Sequence, residues 1–459
     1  MTNVQPESIE SFLQQQDAAT LRTVLLELAS HHEHVMDRLL RLQMAQQPSA
    51  LSTEFKKTLK AWQRSSKYHG YDEASAYGRK LETWLSEVAA EVQPSQPAAA
   101  MALFEQFIEL DQHWFEHADD SGGDIGLAMQ SACRHWLRAA AQSELDSNHV
   151  ATRLIELWQG DQYGGREELL RQANILLSES GLRALVSKFE HLMIQAAPHL
   201  KTGSPRSTEV FKISGALSLL SEALRDPEVK IRAVLAYSPE PNPLQKQSFA
   251  QAYLDAGNPQ GALQWLQGHW AHMEYTRQAM LAGALESLGR LEESIPLRQR
   301  LFEASPNVFE LQNWLKHVAD SDQPRARSLA TQIALNAKQV AAGAAVLLAL
   351  DDVDAAQTLV IERAQGLDGQ DYDSMLSIAR SFSLQGRAVP ESLVYRALLV
   401  AILERGYTKA YGHGVRYLMR LRELALKTAE VQGLVPSHVD FEASIRQQHG
   451  RKASFWSKV

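Results

Sequence analysis

Residues 250–267, AQAYLDAGNPQGALQWLQ, and residues 281–306, LAGALESLGRLEESIPLRQRLFEASP, are two versions of one pattern. Each opens on small residues at helical spacing, reaches a glycine-containing turn and resumes with Ala or Ser early in a second amphipathic segment; the second version closes on Pro306. Small residues let two helices approach closely, and Trp265, Leu266, Leu297 and Phe302 are spaced to fill the core between successive pairs. Working outward, the turns at Gly257-Asn258-Pro259 and Gly289-Arg290 are followed by turn positions near Ser321, near Asp352 and at Gly386, at intervals of 32, 32, 31 and 34 residues. That is the helix-turn-helix period of a tetratricopeptide-type array, in which a repeat cannot bury its apolar face alone and neighbours must stack. The spacing predicts an all-α, helical-repeat (tetratricopeptide-like) α-α superhelix over 244–400. A non-repeating helical bundle with chance turn spacing is the competing architecture.

The rest of the chain also reads as helix, because no stretch sustains alternation of β-branched residues between turn signals. Helices are expected over Phe12 to Leu28, Leu51 to Trp62, Tyr71 to Val92, Ala98 to Phe115 and about Gly126 to Ala141, with Pro94 and Pro97 breaking the third from the fourth. Breaks are expected at Gly164 and Gly165, at Gly181 and over the polar stretch Lys201 to Ser207. The Pro-rich linker Ser238 to Pro243 precedes the repeats. The expected divisions are an N-terminal helical domain at 1–147, a middle helical segment at 148–237, the repeats, and basic C-terminal helices with a capping tail at 401–459.

At 459 residues the chain is too long for one ordinary core and fits several domains or one elongated array. With 45% hydrophobic and 22% charged residues it is a folding chain, not a disordered one. The single cysteine, Cys133, leaves no internal disulfide and no Cys-based zinc cluster, and suits a reducing compartment. The N-terminal sequence has no secretion signal. The most apolar run, Val340 to Leu350, is about half the ~20 residues of a membrane span and reads as a buried core helix. A cytoplasmic protein without membrane contact is the expectation.

Two stretches carry a family resemblance: Ala118-Asp119-Asp120-Ser121-Gly122-Gly123-Asp124 leading into a helix, and the C-terminal run from Tyr395, which contains YRALLVAILERGYTKAYGHGVRYLMRL and the tail SHVDFEASIRQQHGRKASFW. They resemble an uncharacterised bacterial family of helical proteins related to the helical region that accompanies SWIM zinc fingers, over about a third of the chain. The resemblance implies a fold more than a function. SWIM modules bind zinc through Cys-x-Cys and Cys-x-His, and with Cys133 alone that part is missing here.

His113-Trp114-Phe115-Glu116-His117 matches H-x-x-E-H, which on a helix sets two histidines one turn apart for zinc with the Glu activating water, Glu190 being a conceivable third ligand. The bland alternative is a helix end with aromatics in the core and its histidines beside acids. The loop Asp119 to Asp124 offers oxygen ligands on a glycine-rich turn that suits calcium or magnesium. Its structural alternative is a tight turn whose Asp124 caps the next helix. His31, His32 and His34 do not share one helix face, and Cys133 reads as a small core residue. No cofactor motif occurs.

The net charge of -8 speaks against sequence-independent nucleic-acid binding, but residues 401–459 hold ten Lys and Arg against five acids, a local +5 that leaves -13 on the rest. Arg416, Arg420 and Lys427 can share one helical face with Tyr411 and Tyr417 nearby, and the tail adds Arg446, His449, Arg451, Lys452 and Trp456. This end can dock a partner, cap the last repeat through Phe455 and Trp456, or contact single-stranded nucleic acid. The function expected first is a non-enzymatic scaffold or adaptor that binds a protein through a helical-repeat groove, with Arg416, Arg420, Lys427, Arg446, Arg451, Lys452 and Trp456 as partner-binding residues. A nucleic-acid-associated accessory factor comes second, and a zinc hydrolase through His113, Glu116 and His117 third.

Overall fold

The computed structural model describes residues 6–44, 48–196, 207–428 and 436–459. Their regular structure is all helix: among them there is no strand, only an isolated bridge between His69 and Ala118. The chain divides into two compact units, 1–242 and 243–459. Among the described residues no helix is long and apolar enough to cross a membrane.

The first unit contains α1 (Pro6–Gln14), α2 (Ala18–His31), α3 (Glu33–Met44), α4 (Pro48–Gln63), α5 (Tyr71–Glu91), α6 (Pro97–Glu109), α7 (Asp111–Glu116), α8 (Asp124–Gln142), α9 (Ser147–Gln159), α10 (Glu168–Arg171), α11 (Glu179–Ala196), α12 (Ser207–Leu224) and α13 (Pro227–Leu235). In place of the single helix predicted over Phe12 to Leu28, the chain stops and restarts at Asp17. Its carboxylate accepts the Ala19 and Thr20 amides at 2.8 and 2.9 Å, satisfying two of the free donors of α2. The helix predicted over Ala98 to Phe115 likewise divides at Leu110, where the Trp114 indole N–H turns back to the Phe107 carbonyl at 2.9 Å. Gly181 does not break the chain: it lies in the first turn of α11, and the interruption falls before it, where the Ser178 hydroxyl accepts the Gly181 amide. The polar stretch from Lys201 lies outside the described residues apart from Ser207.

One core runs through this unit from Leu51 to Ala233. At its centre Trp84 stacks on Phe107 at 5.7 Å and Phe107 on Trp114 at 5.0 Å, with Phe55 edge-on to Trp84 at 6.0 Å. Full burial of each such side chain stabilises by about 2–3 kcal/mol. Trp136, Leu154, Leu170 and Phe189 belong to the same core. Residues 1–147 and 148–237 therefore share it, since a compact unit ends where apolar faces stop meeting and not where turn residues punctuate the chain.

The second unit is built of helices that pack mainly on their neighbours along the chain. They are α14 (Pro243–Asp255) with α15 (Pro259–Trp265), α16 (Glu274–Ser287) with α17 (Leu291–Ala304), α18 (Val308–Leu315) with α19 (Gln323–Leu335), α20 (Val340–Ala349) with α21 (Val353–Glu362), and α22 (Tyr372–Leu384) with α23 (Ala388–Arg405). After them come α24 (Tyr411–Thr428), α25 (His438–His449) and α26 (Ala453–Trp456). Each periodic turn position lies between the two helices of a pair. Four of the five turns use the same device. A residue with positive φ, namely Gly257, Gly289, Asp351 or Gly386, follows the first helix. The next residue then donates its amide five positions back, as in Asn258 to Tyr253, Arg290 to Leu285, Asp352 to Leu347 and Arg387 to Phe382, all at 2.8–2.9 Å. This Schellman closure satisfies the last carbonyls of the helix and sets the reversal. The turn near Ser321 differs: the Gln323 side-chain amide donates to the Leu315 and Val318 carbonyls instead, at 2.7 and 3.0 Å.

Leu266, Leu297 and Phe302 are buried as their spacing required, and Trp265 packs edge-on against Phe249 at 4.8 Å. The apolar run beginning at Val340 forms α20, whose Val340, Ala344, Val346 and Leu347 are in the core. That core continues without interruption into Leu418, Leu421, Phe441, Ile445 and Phe455.

Candidate functional site

Near the C-terminal end of the second unit three helices leave a cleft of about 470 Å³. Helix α22 starts at the Asp371 cap and contributes Tyr372, Asp373 and Leu376. Leu398, Ala401, Ile402 and Arg405 recur at i, i+3, i+4 and i+7 along α23 and form the opposite wall. Gly406, at φ 65°, ends α23 in the left-handed region, and the chain turns through Tyr407 and Ala410 into α24, which adds His413 and Tyr417 one turn apart. Gly369 closes the end of the cleft against α23, where a Cβ would meet the Ala397 carbonyl oxygen at 2.2 Å, so only glycine permits this approach.

The floor is aliphatic and the rim aromatic and cationic. Tyr372 is 59% and Tyr407 50% exposed, and the Arg405 guanidinium lies 5.7 Å over the Tyr407 ring. Tyr417 is buried beside Tyr395 at 5.5 Å, and burial raises both phenols above their ordinary value. His413 holds Arg416 at 3.0 Å through its Nδ1, so positive charge lies along this edge, with Asp373 the carboxylate among the lining residues.

None of the seven residues expected to bind a partner is among those lining the cleft, and three of them, Arg420, Arg446 and Trp456, are engaged within the chain. Arg420 is tied to the buried Glu391 at 2.8 Å and to Glu423 at 2.9 Å, and donates to the Ser383 hydroxyl. Arg446 lies 4.3 Å over the Trp456 ring and pairs with Glu442. Trp456 donates its indole N–H to the His449 carbonyl, beside the fully buried Phe455. Arg416 adjoins the cleft through His413. Lys427 and Arg451 are exposed, and Lys452 is half-buried. Arg405, Tyr372, Tyr407 and His413 were not singled out from sequence. The signal present was Glu404-Arg405-Gly406-Tyr407, a helix stop that places a cation beside an aromatic.

Elsewhere, His113 and His117 sit 4.2 Å apart, ring centroid to ring centroid, but the His117 Nδ1 is committed to the His113 carbonyl and Glu116 accepts from Gln112 and Tyr163. Burial holds the His113 imidazole below its ordinary value. Glu190 pairs with Arg232 at 2.8 Å. Among the described residues no three His, Cys, Asp or Glu side chains assemble as a metal-ion set. In the acidic loop the helix cap is Asp120 and not Asp124: its two carboxylate oxygens accept the Ile125 and Gly126 amides at 2.7 and 3.0 Å, whereas Asp124 is already the first residue of α8. A capping side chain must lie outside the helix to turn back on it, which Asp124 cannot do. Asp119 accepts the Ser121 amide. Cys133 is wholly buried, and burial pushes its thiol up. His31 and His32 are exposed; the His34 side chain lies outside the described residues.

Fold and cleft together define an all-helical protein with an apolar, aromatic-rimmed and positively edged cleft. The chain belongs to the DUF6880 family, a family of unknown function, whose profile matches residues 10–458. No curated protein and no solved structure matches it.

Proposed function

We propose that this is a non-enzymatic adaptor, built of tetratricopeptide-like helix pairs and working in a bacterial cytoplasm, that holds a protein partner by seating an acidic amphipathic helix in the cleft between α22, α23 and α24. The observation that carries the reading is the combination in one concavity of an aliphatic floor, two half-exposed tyrosines and Arg405. Apolar grooves take the i, i+3, i+4 face of a helix, and a cation at the rim selects a carboxylate beside it. The recurrent 31–34-residue spacing of the turns supports the repeat architecture. The resemblance to the helical companion of SWIM fingers weighs little, since Cys133 is the only cysteine. Nucleic-acid binding is supported less: Arg420, Arg422 and Arg446 are paired with Glu391, Glu423 and Glu442, which removes much of the free positive charge of the C-terminal end.

The test is retention of partners by the tagged full chain and by its Arg405→Glu, Tyr407→Ala variant, with and without nuclease. A stoichiometric protein held by the first, released by the variant and indifferent to nuclease is the expected result. Retention that nuclease abolishes, or that the variant leaves intact, rejects the reading.

A further inference from the structure

The first two helices of the chain are unusual for what they leave outside. Among residues 9–31 only Ala29 is buried, while Ile9, Phe12, Leu13, Val24, Leu25, Leu26 and Leu28 are 42–59% exposed. On α1, Ile9, Phe12 and Leu13 fall at i, i+3 and i+4 and so form one stripe, exposed 48%, 59% and 46%, with Glu10 beside it and Asp17 following. An apolar stripe of this kind on a folded chain marks a contact surface. Residues 9–31 carry Glu10, Asp17 and Glu27 against Arg22, whereas residues 401–459 carry +5. The chain thus holds both an acidic amphipathic helix and a cleft whose aliphatic floor and Arg405 rim match one.

We propose that α1 of one copy of this protein docks in the cleft of a second copy, a head-to-tail self-association that rests on the adaptor reading of that cleft. Phe12 and Leu13 enter over Leu376, Leu398 and Ile402, and Glu10 meets Arg405, which makes no ion pair among the described residues. Two different surfaces meet, so the contact is heterologous. The pair keeps one free α1 and one free cleft, and assembly continues beyond the dimer or closes as a ring. A protein partner offering a similar helix would compete with the second copy, which makes self-association a natural regulator of the cleft.

Sedimentation velocity of the full chain, with circular dichroism to check folding, tests this. Wild-type protein should grow beyond a dimer at about micromolar concentrations and above, and a peptide of residues 6–16 should disperse it while a scrambled peptide does not. Phe12→Ala with Leu13→Ala, at exposed positions, should weaken association about tenfold or more. Glu10→Arg alone and Arg405→Glu alone should each be monomeric, and an equimolar mixture of the two should regain growth beyond the dimer, because the α1 of each variant then meets a cleft of opposite charge on the other. A discrete dimer indifferent to Arg405→Glu, or a chain monomeric at all concentrations, overturns the proposal. Fluorescence anisotropy with an unrelated acidic amphipathic peptide separates the two readings. If that peptide binds and Arg405→Glu abolishes its binding while the 6–16 peptide fails, self-docking falls and the adaptor cleft stands; if neither binds, both fall.

Discussion

Asp111 and Arg166 form an ion pair at 2.9 Å with each side chain only 6% exposed, joining the start of α7 to the loop that follows α9. Arg166 also donates to the Leu157 carbonyl at 2.8 Å, and its own amide donates to Asp161. The pair ties together two segments 55 residues apart, inside the single core of the first unit.

Breaking that pair from one side strands a buried charge. Asp111→Ala should therefore destabilise by about 3–5 kcal/mol, whereas replacing both partners by apolar residues, as in Asp111→Leu with Arg166→Met, should recover most of the loss. Urea denaturation of the three proteins decides it. A double variant no more stable than Asp111→Ala would show that the pair does more than neutralise itself.

Asp351 occupies, at φ 63°, the turn position that glycine holds at 257, 289 and 386. A residue with a Cβ is strained there, and its ion contact to Arg327, at 4.0 Å between exposed groups, contributes little. Asp351→Gly should raise stability by about 0.5 kcal/mol and Gly289→Asp should lower it by about 1 kcal/mol. Thermal unfolding midpoints that move in the opposite order would reject the shared-device account of these turns.

Phe455 is fully buried and meets Tyr411 edge-on at 5.6 Å, so the last residues of the chain close the C-terminal end of the second core. Phe455→Ala should cost about 3–4 kcal/mol, while Trp456→Ala, at a half-buried ring, should cost less than half as much. Equal losses in chemical denaturation would contradict this ranking. Trp456→Ala should also remove the ring under Arg446 and leave that cation held by Glu442 alone.

His135 stacks on Phe104 at 5.2 Å, and burial, helped by Arg138 and Arg134, pushes its imidazole down to about 4 from 6.5. Above pH 6.5 the ring is neutral folded and unfolded alike, and it adds no pH dependence. Between pH 6.5 and 4 the unfolded chain takes up the proton first, so stability falls as pH falls through this window. His135→Phe, which preserves the stack, should lose less stability than wild type between pH 7 and pH 5. Parallel losses for the two proteins would remove His135 from the acid response.

Much of the second unit was legible because its signals are local. A turn glycine, a helix of about 13 residues and an aliphatic run such as the one beginning at Val340 each act within a few neighbours, and their recurrence at 31–34 residues follows directly from the chain. The first unit was legible as helix but not in its breaks. Asp17 closes the polar run Gln14 to Asp17, and whether that run interrupts the helix depends on the Asp17 side chain turning back to two amides, an option that periodicity does not record. The exchange of Asp120 for Asp124 as the cap of α8 has the same origin.

The sequence by itself determined that this protein is all-helical, that its turns recur, and that its C-terminal end is basic, because helix periodicity, left-handed turn residues and formal charge are properties of residues within a few positions of one another. Only the tertiary structure decided which charges are free. Arg420 and Glu391 are 29 residues apart, and their pairing removes from the surface a cation that composition counted as available. The cleft arises the same way, from Gly369, Arg405 and Tyr417 on separate segments. Electrostatic pairing and concavity depend on distances in space that one-dimensional spacing beyond a helical turn does not carry.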